Sequence, residues 1–97
     1  MITINFFTTL RLHLRLGEMR LEAAPGLSIE DLMRRIEPMV IEKTGKSFLF
    51  KLLNDDGGIK RGTIILLNGR NILDGDGLRS VVNDGETVAL FPPGGGG

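Results

Sequence analysis

The last six residues carry most of the chemistry that this sequence offers. Two prolines, Pro92 and Pro93, precede the four glycines at positions 94–97. Because glycine has no Cβ, such a segment can enter a narrow channel in another protein. The α-carboxylate of Gly97 is ionised near neutral pH, since its reference pKa is about 3.5, and it is a poor electrophile until it is activated. Adenylation by ATP in a partner enzyme would give an acyl adenylate, which sulfide or a thiol can attack.

Other residues of catalytic type are scarce. His13 is the only histidine, there are three serines, and there is no cysteine. Without a cysteine the chain has no disulfide, no thiolate ligand and no sulfur nucleophile of its own. The run Asp74-Gly75-Asp76-Gly77 resembles the start of a calcium loop but lacks the later ligands, so a turn explains it better. A self-contained hydrolase and a metal site are therefore not expected.

Chain length and net charge argue against further classes of protein. The chain has 97 residues, which is enough for one domain, and its 12 Lys and Arg balance 12 Asp and Glu. A zero net charge gives no support for capture of nucleic acid or of an anionic membrane. The N-terminus does not read as a signal peptide, and the longest apolar run is too short to span a bilayer. We expect a small, neutral, cytoplasmic domain.

The N-terminal third predicts two paired strands. Apolar residues alternate over residues 2–8, and again over 10–16, where His13 would be an exposed strand residue. Gly17 shifts the alternation for residues 19–23, which leaves open a long bulged strand or a loop followed by a short strand. In either case the two segments are expected to form a hairpin.

A helix is predicted next. Ser28 with Asp31 forms an approximate capping box, and apolar residues follow at helical spacing, namely Ile29, Leu32, Met33 and Ile36. Pro38 predicts a kink or a stop near Glu37. Residues 48–53 are apolar enough for a short strand.

The C-terminal half predicts the remaining strands. Residues 63–67 are β-branched and apolar, and Asn68-Gly69 is a strong hairpin signal that predicts a partner strand at 70–72. The last strand covers 87–91 and stops at the prolines. The order of elements predicts an α+β fold, a mixed four- to five-stranded sheet with one main helix on one face, as in β-grasp domains.

A family resemblance covers nearly the whole chain. The segment from Asn83 to Pro93, followed by Gly96-Gly97, resembles the C-terminus of the MoaD/ThiS family of ubiquitin-like sulfur carriers. The N-terminal residues 2–7, the helix start at 26–32 and Leu67-Asn68-Gly69 are similar too. Family members often carry Val, Ala or Ser between the prolines and the diglycine, whereas this chain has glycine.

The resemblance implies a β-grasp domain over residues 1–91 and a flexible tail over 92–97. It implies that the carboxylate of Gly97, after Gly96, is adenylated and becomes a thiocarboxylate. The chain would be a carrier and not an enzyme, binding no cofactor itself, while a ubiquitin-activating-type partner uses ATP. The sulfur acceptor would be the molybdopterin synthase large subunit or another enzyme, in molybdopterin, thiamine or cysteine biosynthesis.

Partner docking is expected around the base of the tail. An exposed Phe7 beside the end of the last strand would be a natural contact for a partner. The expected docking residues are Phe7, Phe91, Pro92, Pro93, Gly94 and Gly95.

Three alternatives stay open. Gly97 could instead form an isopeptide bond with lysines of target proteins, as a protein modifier does. The domain could also be an interaction module whose glycine tail is inert or a remnant of cloning. Five arginines could form a basic patch, although solvated faces explain them better, namely Arg11, Arg15, Arg20, Arg34 and Arg35.

Overall fold

The computed structural model describes residues 1–94. Eight elements follow one another: β1 (Ile2–Phe6), α1 (Thr8–Leu14), β2 (Glu18–Leu21), α2 (Ile29–Thr44), α3 (Leu49–Leu52), β3 (Ile64–Leu67), β4 (Arg70–Asn71) and β5 (Thr87–Phe91). Two short 3-10 turns, Ile72–Asp74 and Gly77–Arg79, lie between β4 and β5. Among these helices none is both long and apolar enough to cross a bilayer.

The strands form one mixed sheet in the order β2-β1-β5-β3-β4. β5 lies at its centre, parallel to β1 and antiparallel to β3. The buried side chains of β1 and β5 alternate along each strand and join those of α2 in one hydrophobic core. This arrangement confirms the predicted α+β fold with one main helix, and the element order is that of a β-grasp domain.

α2 begins as predicted and ends later than predicted. The Oγ atom of Ser28 accepts a hydrogen bond from the Asp31 amide at 3.1 Å, which confirms the N-cap. Of the predicted kink or stop near Glu37, the stop is wrong, because the helix continues to Thr44. Pro38 is exposed, so the carbonyl that loses its helical partner can bind water. Buried Ile36 and Val40 hold the helix to the core on both sides of the proline.

Of the two alternatives left open for this region, the short strand after Gly17 is confirmed as β2, although a helix and not a loop precedes it. The other alternative, a long bulged strand that includes residues 10–16, is wrong. These residues lie largely in α1, where Leu10 and Leu14 are buried and Leu12 is 76% exposed. Leucines at 10 and 14 satisfy the i, i+4 spacing of a helix as well as the alternation of a strand. Leucine and arginine also favour helix, and this segment has no β-branched residue. β2 is correspondingly short, although it does pair antiparallel with β1 as predicted.

The predicted strand over residues 48–53 is also wrong. This segment forms α3, with Phe48 and Leu52 buried four residues apart and Phe50 exposed. The carboxylate of Glu37 in α2 accepts hydrogen bonds from the amides of Phe48 at 2.9 Å and Leu49 at 3.3 Å. A side chain from another helix thus supplies the acceptor that the first turn of α3 lacks.

The β3–β4 hairpin is confirmed. Asn68 and Gly69 connect the two strands with φ angles of 49° and 81°. Two successive positive φ values define the tight turn that Asn-Gly favours. The amide oxygen of Asn68 also accepts a hydrogen bond from the backbone N–H of Thr87 at 2.8 Å, which joins the turn to the start of β5.

Candidate functional site

The tail leaves the domain from the central strand of the sheet. Leu90 and Phe91, the last residues of β5, pair with Phe6 of β1 and with Ile64 of β3. After them Pro92 is buried, Pro93 is half-buried and Gly94 is exposed. The chain therefore becomes progressively more accessible over these three residues.

The residues expected to carry the chemistry lie beyond this point. Gly95, Gly96 and Gly97 are outside the described residues. Among the expected docking residues, Pro92 is buried and holds the base of the tail against the domain, whereas Pro93 and Gly94 are accessible to a partner.

Two aromatic rings lie beside the base of the tail. Phe7 and Phe91 stack with ring centroids 4.7 Å apart and an interplanar angle of 7°. Phe7 directly follows β1, and its backbone N–H donates to the carbonyl of Leu90 at 3.1 Å, which holds the two chain segments together. Both rings are half-buried, so each keeps an accessible surface.

An apolar surface continues from these rings onto β3. Ile64 is the cross-strand partner of Phe91 and is 43% exposed. Directly opposed residues of an antiparallel pair project from the same face of a sheet. We call Phe7, Ile64 and Phe91 the tail-side patch.

A cation lies next to the tail-side patch. Arg11, on α1, places its guanidinium over Gly17, where an added Cβ would stand 3.3 Å from Arg11 Cζ. Together with Phe7 and Glu18 these residues line a hollow of about 330 Å³. A partner that covers the patch would therefore also meet this arginine.

Two of the five arginines are paired with acidic residues of their own element. Arg20 Nε lies 3.3 Å from Glu18 on the same strand, and Arg34 Nε lies 3.4 Å from Glu30 on the same helix. These pairs are solvent-exposed, and such pairs contribute little to stability. The arrangement favours the interpretation as solvated strand and helix faces.

The side chain of His13 makes contacts within the domain. The expectation of an exposed strand residue is wrong, because His13 lies half-buried on α1 with Nε2 3.1 Å from the carbonyl oxygen of Ser47. Its ring meets that of Phe50 edge-on, with centroids 6.1 Å apart. This histidine connects α1 to the segment before α3.

No metal site is apparent in residues 1–94, where no group of three or more His, Cys, Asp or Glu is placed to hold an ion. The run of Asp74 to Gly77 belongs to the two 3-10 turns, and Asn71 caps the first of them by accepting from the Leu73 amide at 2.9 Å. Asp74 ends the first turn and Asp76 immediately precedes the second, so their position in turns accounts for these acidic residues.

One contact at the base of the tail was missed by sequence reasoning. Gly62, in the turn before β3, lies against Pro93. The two residues are thirty-one positions apart in the chain, and nothing in the local sequence of either one signals the other.

Comparisons with known proteins agree with this architecture. The model of the ThiS family matches residues 4–97. Small archaeal modifier protein 3 of Haloferax volcanii is 27% identical over 96 residues, which cover 99% of this chain and 98% of that protein.

Solved structures show the same fold. The solution structure of the Haloferax volcanii HVO 2177 protein matches with a TM-score of 0.73 and 27% identity, covering 99% of this chain and 85% of that one. A chain in the crystal structure of the Amycolatopsis orientalis BexX/CysO complex matches with a TM-score of 0.74 and 21% identity, covering 100% of both chains.

Proposed function

This chain belongs to the ThiS family of ubiquitin-fold sulfur carriers and modifiers, and we propose that it is a sulfur carrier that works through the carboxylate of Gly97. A partner enzyme adenylates this carboxylate and a sulfur donor converts it to a thiocarboxylate. The chain is then a co-substrate of other enzymes. The observation that carries the proposal is that the family match extends to residue 97 and so includes the diglycine.

The proposed activation has two balanced steps. A carboxylate oxygen of Gly97 attacks the α-phosphorus of ATP, and pyrophosphate leaves. Hydrosulfide then attacks the acyl carbon, AMP leaves with the shared oxygen, and the product is a thiocarboxylate. Adenylation is needed because an ionised carboxylate is a poor electrophile and O²⁻ is not a leaving group. The ATP is bound and used by the partner.

The tail is long enough and narrow enough for this chemistry. The six residues after Phe91 extend at most about 20 Å, at roughly 3.3 Å per residue. Residues 94–97 have no side chains, so they can pass through a channel that admits only backbone. The domain stays outside such a channel and docks on its rim.

The tail-side patch is the surface proposed to dock on that rim. Its two stacked rings and Ile64 are accessible, and they lie at the point where the tail leaves the domain. Aromatic residues near the centre of an interface commonly contribute most of the binding energy. The partners proposed for it are a ubiquitin-activating-type adenylating enzyme and then a sulfur acceptor such as the molybdopterin synthase large subunit.

A second candidate function is protein modification. The Haloferax volcanii relative that aligns along 99% of this chain is named a modifier protein. A modifier shares the adenylation step and differs afterwards, because the acyl group passes to a lysine amine of a target and forms an isopeptide bond. The choice between the two functions therefore depends on the acceptor that attacks the activated Gly97.

The test compares the full chain with a variant lacking Gly96 and Gly97, both epitope-tagged at the N-terminus and expressed in the source cells. If the chain is a sulfur carrier, the deletion should abolish the sulfur-dependent pathway, and few or no high-mass conjugates should be seen with either chain. If the chain is a protein modifier, high-mass conjugates should form with the full chain and disappear with the deletion. Unchanged cellular function together with unchanged partner binding would contradict both and would leave an interaction module with an inert tail.

A further inference from the structure

The turn before β3 lies directly under the base of the tail. Gly62 in this turn has a φ angle of +90°. A Cβ added to Gly62 would stand 3.0 Å from the Cβ of Pro93, 3.5 Å from its Cα and 4.0 Å from the amide nitrogen of Gly94. Both the backbone conformation and the neighbouring tail therefore disfavour any side chain at this position.

No other glycine of residues 1–94 with a positive φ faces both constraints. An added Cβ would meet nothing within 4 Å at six such positions, namely Gly26, Gly45, Gly69, Gly77, Gly85 and Gly94. At Gly57 the nearest atom is the end of the flexible Arg34 side chain, 3.9 Å away. A turn conformation alone explains those glycines, whereas Gly62 also leaves the space that the tail occupies.

The turn that carries Gly62 is held to the core. The carbonyl oxygen of the buried Leu52 accepts a hydrogen bond from the Lys60 amide at 2.9 Å and another from the Thr63 hydroxyl at 3.1 Å. The Thr63 amide donates to the Lys60 carbonyl at 3.0 Å and closes the turn. An added side chain at position 62 would therefore displace the tail and not the turn.

We propose that Gly62 is a positioning residue for the tail: its missing side chain lets Pro93 lie on the turn and so sets the direction in which the glycines leave the domain. The inference rests on the proposed activation of Gly97. Pro92 is buried and Pro93 lies on the turn, so neither proline has to be ordered anew when the tail enters a partner. Ordering fewer residues costs less conformational entropy in the activated complex.

The test measures adenylation by ATP–pyrophosphate exchange, with the full chain and its cognate adenylating enzyme. Gly62→Ala leaves the tail-side patch intact, so the domain still docks, but the tail leaves in an altered direction. We expect kcat to fall about tenfold while KM for the chain stays within about twofold. A change in docking alone would instead raise KM.

Gly85→Ala is the matched control. Gly85 has a φ of +85°, nothing within 4 Å of its added Cβ, and a place before β5, at the opposite end of that strand from the tail. It incurs a similar backbone strain without touching the tail, so its kcat should remain that of the wild type. Equal kcat values for Gly62→Ala and Gly85→Ala would overturn the inference.

A second control shows whether Gly62 acts through Pro93. Pro93→Gly removes the Cβ that the new side chain would meet at 3.0 Å. In a Pro93→Gly background, the further change Gly62→Ala should alter kcat by less than about twofold. An undiminished tenfold loss in that background would overturn the proposed contact.

Failure of the proposed function is separable from failure of this inference. If the wild-type chain supports no exchange with an adenylating enzyme from the same cells that is shown to be active on another carrier protein, the proposed activation fails, and a role for Gly62 in it fails too. The contact itself is tested without any partner, by urea unfolding of the two single variants and the double variant. Gly62→Ala should change the unfolding constant at least about threefold less in the Pro93→Gly background than in the wild type. Strictly additive effects of the two substitutions on the free energy of unfolding would overturn the contact.

Discussion

Replacing Phe7 with alanine should weaken both the fold and the docking of partners. Truncation of a fully buried phenylalanine costs about 3–5 kcal/mol, and Phe7 is half-buried, so we expect a loss of about 2 kcal/mol in the free energy of unfolding. About 1 kcal/mol of this belongs to the stacking on Phe91. For a domain of this size the thermal midpoint should fall by about 8–16 °C.

The same change should raise KM in the adenylation assay about tenfold, because it removes an aromatic residue from the centre of the proposed interface. Phe7→Leu keeps apolar bulk but loses the stack, so it should cost about 1 kcal/mol of stability. The stability measurement is urea unfolding followed by circular dichroism, and the adenylation assay is run well below the thermal midpoint of every variant.

Phe50→Ala is the control for this prediction. Phe50 is 55% exposed and makes an edge contact with His13. This variant should lose less than about 1 kcal/mol of stability, and KM should stay within about twofold of the wild type. An unchanged KM for Phe7→Ala would refute the docking role of the tail-side patch. A stability loss no larger than that of Phe50→Ala would refute the contribution of the stack.

Two further predictions concern the fold. Glu37→Ala should destabilise the domain by about 1.5–3 kcal/mol in urea unfolding, because two amides at the start of α3 lose a charged acceptor. Glu37→Gln should lose less stability because it keeps one acceptor oxygen. Equal losses for the two variants would contradict this reasoning. Pro38→Ala should raise the thermal midpoint in calorimetry by a few degrees, corresponding to about 1 kcal/mol, because it restores a helical amide opposite the Arg34 carbonyl. A lower midpoint would mean that the proline is better accommodated in α2 than its exposure suggests.

The sequence predicted the elements whose signals are local. The alternation in β1, the stop of β5 at the prolines, the Ser28 cap of α2 and the Asn68-Gly69 turn each depend on a few neighbouring residues, and the structure confirms all of them. Their order was enough to predict the α+β fold, because a hairpin, a helix and a returning strand leave few arrangements that bury every apolar face.

The errors arose where a local pattern was ambiguous or where the decisive contact is distant. Alternating leucines fit a strand as well as the i, i+4 face that α1 buries with Leu10 and Leu14. α3 begins where it does because Glu37 reaches its amides from another helix. The contact of Gly62 with Pro93 links distant parts of the chain, and it too is visible only in the folded molecule.

The measurement that tests the central claim most directly is the intact mass of the chain after incubation with its adenylating enzyme, ATP and a sulfide donor. The account predicts a gain equal to the exchange of one oxygen for sulfur, located at Gly97 by fragmentation, and no gain in the variant lacking Gly96 and Gly97. An unchanged mass, with an adenylating enzyme from the same cells that is shown to be active on another carrier protein, would contradict the assignment of this chain as a sulfur carrier.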